Sequence, residues 1–252
     1  MRAGTSAAAP VGESGDVASE GGAARLIAWT LCAIALLWAS AAAAHNVSPE
    51  DARLITGRTG WHFGLYLWLG AKHMVTGYDH LLFLVGVIFY LRDLRSIVLY
   101  VSLFSIGHSL TLVLGVLTEL NVNPHLVDAI IGFSVVYKAF DNLNGFHTLF
   151  GSEAPDGRFA VAIFGLFHGL GLATKLQDLG LNADGLVANL LSFNLGVEVG
   201  QILALLAIVL LLRLIPGQMK QGRTGQYVNA ALMLGGTSLM FYQLMGFALN
   251  SA

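Results

Sequence analysis

The chain has 252 residues, of which 56% are hydrophobic and only 11% are charged, and its mean hydropathy is +0.70. A water-soluble globule of this composition would lack the polar surface needed to cover itself, so we expect a membrane protein with the lipid bilayer as its partner. The formal net charge of −2 lacks the basic excess of a nucleic-acid binder, and we expect no nucleic-acid partner. The single cysteine, Cys32, excludes both a disulfide framework and a thiolate metal site within one chain.

The first 44 residues predict an export signal. Residues 1–24 are rich in Ala, Gly, Ser and Glu and show no apolar periodicity, which is typical of a disordered leader. The apolar run Leu26–Trp38 follows a basic residue and precedes small residues with A-x-A cleavage sites, as in a signal peptide. The alternative is an uncleaved N-terminal span, because the run and the small residues together could cross a bilayer. Cleavage after Ala44 would leave residues 45–60 as a periplasmic segment and make His45 a candidate N-terminal chelator.

Six apolar segments within residues 61–252 predict an all-α bundle of about six transmembrane helices. The segments are too long for barrel strands, and irregular backbone facing lipid would leave peptide groups without hydrogen bonds. The predicted spans are Trp61–Leu91, Ser96–Leu117, Leu126–Leu143, Phe159–Leu176, Leu186–Leu212 and Tyr227–Leu249. Gly165 with Gly169, and Gly196 with Gly200, have the small-xxx-small spacing that favours close helix packing, although a chain with 30 glycines contains such spacings by chance.

Basic residues flank the loops on one side of this predicted bundle. They are Arg92, Arg95, Arg158, Arg213, Lys220 and Arg223. On the opposite side, only the loop that begins near Lys175 has a basic residue. The positive-inside rule therefore predicts a multi-pass protein of the bacterial inner membrane with its mature N-terminus in the periplasm.

Ionisable side chains inside the spans are the candidate functional residues, because each is costly unless it is paired, binds a metal or faces water. The candidate metal ligands are His73, Asp79, His80, His108, Asp128, His168 and Glu198. Their depth can be estimated by counting helical residues from the basic residues on the cytoplasmic side. Most of the candidates then fall in one layer about 15–22 Å from that side of the membrane. Imidazole and carboxylate ligands suit divalent nickel, cobalt, zinc, iron or copper, whereas the lack of thiolates argues against Cu(I) or an Fe–S cluster.

The histidines also have explanations without function. His73 and His80 share a helical face two turns apart, and Asp79 could bind a metal or orient an imidazole. Taken singly, however, His73 could lie among lipid headgroups and His80 could be a hydrogen-bonded helix terminus. Lys138 and Asp141 are explained by an i, i+3 ion pair.

Four segments carry a resemblance to the HupE/UreJ family of membrane proteins. They are Tyr78-Asp-His-Leu-Leu-Phe-Leu, Gly107-His-Ser-Leu-Thr-Leu, Phe164-Gly-Leu-Phe-His-Gly-Leu-Gly and Phe193-Asn-Leu-Gly-Val-Glu-Val-Gly-Gln. The resemblance implies a protein of about six spans with a cleavable signal. It also implies a nickel or cobalt permease associated with hydrogenase or urease maturation.

The family motifs map onto particular residues. The first motif consists of a His, five further residues and then Asp-His, and it is matched by His73, Asp79 and His80. The second motif is matched at His168 and its neighbours, but the family has a Glu where this chain has Lys175. Glu198 on the next helix could supply the missing carboxylate.

Three functional hypotheses follow. The leading one is a permease for a divalent transition metal, with nickel or cobalt as the expected cargo. The second is a membrane metalloprotein that retains its metal, either an enzyme or an auxiliary subunit of a larger membrane complex. In the third, the polar layer is an interhelical hydrogen-bond network that only fixes the bundle. No nucleophile elbow, phosphate loop or dinucleotide fingerprint is present, which favours a transporter or accessory protein over an enzyme. The sequence leaves open whether the chain forms a homo-oligomer.

Overall fold

A computed structural model describes residues 49–91, 93–179, 182–214 and 222–250. The predicted leader, signal or first span, and His45, lie outside the described residues, as do Arg92 and Lys220. The described part consists of nine helices without a strand. They are α1 (Pro49–Ile55), α2 (Phe63–Thr76), α3 (Tyr78–Ile88), α4 (Leu94–Leu117), α5 (Pro124–Asn142), α6 (Gly145–Phe150), α7 (Gly157–Gln177), α8 (Leu186–Arg213) and α9 (Arg223–Asn250).

The all-α membrane bundle predicted from the sequence is confirmed. Four helices, α4, α7, α8 and α9, are long and apolar enough to cross a membrane. Helix α5 occupies the third predicted span, and α2 together with α3 occupies the first. The outer face of α8 carries exposed Leu191, Ile202 and Leu206, an apolar surface suited to lipid rather than to water.

The single helix predicted over Trp61–Leu91 is wrong, because the segment breaks at Gly77. This residue has extended dihedral angles, φ −73° and ψ 102°. A Cβ atom there would lie 2.8 Å from Nδ1 of His80 and 3.0 Å from the carbonyl oxygen of His73. Only glycine therefore fits at this position, because the side chain of any other residue would come too close to these two atoms. A broken helix at membrane depth is tolerated where the irregular backbone is enclosed by protein, and such breaks often mark binding sites.

Glycines bring the transmembrane helices together in close pairs. A Cβ atom on Gly169 of α7 would lie 2.0 Å from the carbonyl oxygen of His108 on α4, and one on Gly196 of α8 would lie 2.0 Å from that of Leu67 on α2. At these points the helices touch backbone to backbone, as the small-xxx-small spacing predicts. Helices α5 and α9 pack antiparallel in the same way around Gly132. These contacts fix the register of the side chains between the helices.

Four arginines lie at one end of the bundle. Arg95 and Arg158 lie in the first turns of α4 and α7, Arg223 begins α9, and Arg213 ends α8. Asp93 caps α4 by accepting a hydrogen bond from the Ser96 amide at 2.7 Å. This backbone hydrogen bond holds the pKa of the Asp93 carboxyl below its usual value. We call this the arginine end and the opposite one the outer end.

Candidate metal centre

Four histidines from four helices meet inside the bundle. His73 lies in the last turn of α2, His80 in the first turn of α3, His108 in the middle of α4 and His168 in the middle of α7. The ring centroid of His80 is 5.0 Å from that of His73, 5.7 Å from that of His108 and 4.9 Å from that of His168. We call these four side chains the histidine cluster.

Three members of the cluster have a spacing that suits a shared metal ion. One ring nitrogen from each of His73, His80 and His108 lies within 4.8 Å of the other two. Imidazole nitrogens bound to one transition metal at about 2.0–2.1 Å are no more than about 4.2 Å apart. Small side-chain adjustments therefore suffice to bring the three nitrogens onto one ion, and the donor set fits a divalent transition metal.

Asp79 orients one of these imidazoles. Its Oδ1 accepts a hydrogen bond from the backbone amide of His80 at 2.8 Å and lies 2.8 Å from Nδ1 of the same ring. With the Nδ1 proton directed at the carboxylate, the lone pair is on Nε2. A carboxylate behind an imidazole is the usual support of a metal-binding histidine. Because Asp79 follows the break at Gly77, the broken helix positions both residues.

His168 is held in a comparable way by the backbone. Its Nδ1 lies 2.7 Å from the carbonyl oxygen of Phe164, one turn earlier in α7. Since a carbonyl only accepts, Nδ1 carries the proton and Nε2 the lone pair. Two of the four rings thus have a defined tautomer with the lone pair on Nε2.

His108 is the most unusual member of the cluster. It is 0% exposed, and neither of its ring nitrogens has a hydrogen-bond partner within the described part of the chain. The same holds for Nε2 of His80 among those residues. A buried polar atom without a partner costs about 1–3 kcal/mol. Buried polar atoms of this kind are found at sites where a bound group, such as a cation, contacts them.

Phenylalanine rings surround the cluster. The Phe104 ring centroid is 4.9 Å from that of His168, the Phe83 centroid is 5.5 Å from that of His168, and the Phe193 centroid is 6.0 Å from that of His73. These rings exclude water and lower the local dielectric, which strengthens the attraction between a cation and its ligands. Sequence reasoning did not identify this shell, because apolar residues at such spacings are common in every span.

Two of the residues predicted as ligands lie elsewhere. Asp128 is 3.0 Å from Nζ of Lys175 and accepts a hydrogen bond from Nε2 of Gln243 at 3.2 Å. Glu198 is exposed on α8. Neither belongs to the group formed by His73, His80 and His108, and their role as ligands stays a prediction.

Two small cavities lie near the cluster, one lined by His80 and the other by Asp79. One is lined by Asp79, Asp128, Gln243 and apolar residues of α5 and α9. The other is apolar and extends from His80 past Phe83 towards Tyr100, near the arginine end. Each has room for about one water molecule. The predicted ion pair of Lys138 with Asp141 is also present, and neither residue lines either cavity.

A comparison with known families identifies the chain. The family model described as HupE / UreJ protein matches residues 50–251. No curated protein and no solved structure matches the chain.

Proposed function

This chain belongs to the HupE/UreJ family, and from that premise we propose that it is a membrane permease for a divalent transition metal, with nickel or cobalt as the cargo. The histidine cluster is the transient binding site. The outer end of the bundle faces the periplasm and the arginine end faces the cytoplasm of a bacterial inner membrane. The arrangement of Arg95, Arg158, Arg213 and Arg223 at one end supports this orientation.

The observation that carries the proposal is a set of buried nitrogens on His80 and His108 that have no hydrogen-bond partner among the described residues, together with the Asp79 carboxylate that supports the His80 ring. Burying imidazoles at membrane depth costs free energy, and hydrogen bonding within the described residues does not recover that cost for His108. A divalent cation would recover it by binding the lone pairs directly.

The charge balance of the site suits transport. Asp79 supplies one negative charge to the cluster, and neutral imidazoles supply none. A bound dication therefore stays only partly neutralised, which weakens its retention in a low-dielectric environment. One cavity is lined by His80 and the other by Asp79, which supports the view that the ion enters and leaves by different routes.

The uptake test uses a change at the centre of the cluster. Proteoliposomes containing the His80→Ala variant are expected to take up labelled nickel and cobalt at less than about one-hundredth of the normal rate, because a ligand is lost and losses of supporting groups alone cost about 10–100-fold. His147→Ala is the matched control, since His147 is exposed on α6 and should transport normally. Uptake by His80→Ala at the normal rate would contradict the proposal.

Asp79 is a positioning residue for His80. The Asp79→Asn variant keeps the shape but loses the charge that fixes the tautomer and raises the basicity of the ring. We expect the affinity for nickel to fall by about 10–100-fold, with the thermal unfolding temperature of the metal-free protein little changed. Isothermal titration and a thermal melt measure the two quantities. An equal affinity in both proteins would show that the contact with His80 has no part in binding.

The second candidate is a protein that retains its metal. Its support is the burial of the cluster, since His80, His108 and His168 are 3%, 0% and 1% exposed. An enclosed site releases an ion slowly. Metal that survives purification and a chelator wash in stoichiometric amount would favour this candidate, whereas rapid exchange would favour the permease.

A further inference from the structure

A buried ion pair lies between the outer end of the bundle and the histidine cluster. Nζ of Lys175 is 3.0 Å from the carboxylate of Asp128, and the two side chains are only 13% and 11% exposed. Lys175 is in the last turn of α7 and Asp128 in the second turn of α5. The charges are therefore held in a low dielectric, where they act strongly on any ion nearby.

A series of polar side chains connects this pair to the outer end. Gln243 donates from Nε2 to Oδ2 of Asp128 at 3.2 Å, and its Oε1 lies 2.8 Å from Nδ1 of His125. Nδ2 of Asn250, at the end of α9, lies 2.9 Å from Nε2 of the same ring. These contacts form a continuous line of polar groups between α5 and α9. The line runs from the outer end of the bundle, where α5 begins and α9 ends, to Asp128.

The line continues inward to the cluster. Asp128 and Gln243 line a cavity that Asp79 also lines, and Asp79 is hydrogen-bonded to His80. Polar groups at membrane depth typically mark ion pathways. A cation that follows this route meets the Asp128 carboxylate, with its lysine, before it meets the histidines.

We propose that Lys175 is a charge gate, whose ammonium group on Asp128 limits the rate at which a divalent cation reaches the histidine cluster from the outer end. The inference rests on the proposed metal-binding function. While the pair is closed, the ammonium group repels the cation and occupies the carboxylate that would attract it. The flexible lysine stem lets the ammonium group move away, and Asp128 is then able to bind the cation and deliver it to Asp79 and His80.

The test measures how fast metal associates with the detergent-solubilised full-length protein. In stopped-flow mixing with nickel or cobalt ions, Lys175→Gln is expected to raise the association rate about tenfold, and Asp128→Asn to lower it about tenfold, as for charges that steer an ion into a cleft. Lys138→Gln is the matched control, because Lys138 pairs with Asp141 nearer the arginine end. Its rate should equal that of the unmodified protein. The stoichiometry of bound metal should be the same in all four proteins.

A second variant guards against a folding defect. Asp128→Asn leaves a buried ammonium group without its carboxylate, whereas Asp128→Asn combined with Lys175→Gln removes both charges. The double variant should associate with metal at a rate between those of the single variants. Equal metal-association rates in all variants, or a slower rate in Lys175→Gln, would overturn the gate. The ion pair would then only stabilise the packing of α5 against α7.

Failure of the gate is distinguishable from failure of the proposed function. If the unmodified protein binds metal and His80→Ala does not, unchanged rates in the Lys175 and Asp128 variants remove the gate alone. If neither the unmodified protein nor His80→Ala binds metal, both proposals are overturned.

Discussion

Replacing His108 with leucine is expected to abolish metal binding without destabilising the metal-free protein. The imidazole is fully buried, and its nitrogens have no hydrogen-bond partner in the described part of the chain. Leucine of similar volume removes the cost of these unsatisfied atoms, about 1–3 kcal/mol, so the free energy of unfolding of the metal-free protein should stay equal or rise. Loss of a ligand should lower the affinity for nickel or cobalt by more than about 100-fold, beyond what loss of a supporting group costs.

The two readouts for His108→Leu separate metal binding from a structural role. Titration calorimetry gives the affinity, and thermal melts in the presence and absence of metal give the stability. Metal should raise the melting temperature of the unmodified protein but not that of the variant. His147→Leu, an exposed substitution on α6, is the control and should keep metal-dependent stabilisation. If His108 belonged to a structural hydrogen-bond network instead, the variant would be less stable without metal and would bind metal no worse than the control does.

Gly169→Ala should disrupt the contact between α4 and α7. The added Cβ atom would lie 2.0 Å from the carbonyl oxygen of His108 and 2.4 Å from Oγ1 of Thr111. Helices α4 and α7 must therefore separate, at a cost of about 1–3 kcal/mol or more. The hydrogen bond from Thr111 to the carbonyl of Leu166, 2.7 Å long, would be strained by the same shift. We expect a lower thermal unfolding temperature.

The same variant should bind metal less well, because His108 on α4 and His168 on α7 move apart when the helices separate. Gly64→Ala is the matched control, since an added Cβ at Gly64 of α2 meets nothing within 4 Å. That variant should melt at or slightly above the normal temperature, as alanine favours the helix. A Gly169→Ala protein that melts and binds metal like Gly64→Ala would show that the α4–α7 contact does not set the geometry of the cluster.

The sequence was sufficient to predict the helical bundle and the residues of the cluster. Apolar length alone predicts the four long helices α4, α7, α8 and α9, because a bilayer requires about 20 apolar residues per crossing. The spacing of His73 and His80 and the depth count predicted residues that the structure does bring close together. The break at Gly77 was missed, since glycine inside an apolar run is common in membrane helices and only the contacts with His80 explain it.

Asp128 and Lys175 show what a depth count cannot provide. Asp128 was grouped with the histidines because its depth is similar, yet rotation about α5 directs it to Lys175 and Gln243. Counting residues gives the height along a helix but not the neighbours across the bundle. Lys175, at the position where the resemblance implies a glutamate, is the cation that pairs with Asp128, so this lysine has a specific partner in this chain.

In the proposed function, the histidine cluster binds a divalent transition metal. X-ray absorption spectroscopy on the purified protein loaded with nickel or cobalt, combined with measurement of the amount of bound metal, tests this binding. We expect a single bound ion with at least three imidazole nitrogens at about 2.0–2.1 Å and no sulfur ligand, and loss of that imidazole signal in His108→Leu. An ion surrounded by water and carboxylate oxygens only, or the same spectrum in His108→Leu, would show that the cluster is not the metal site.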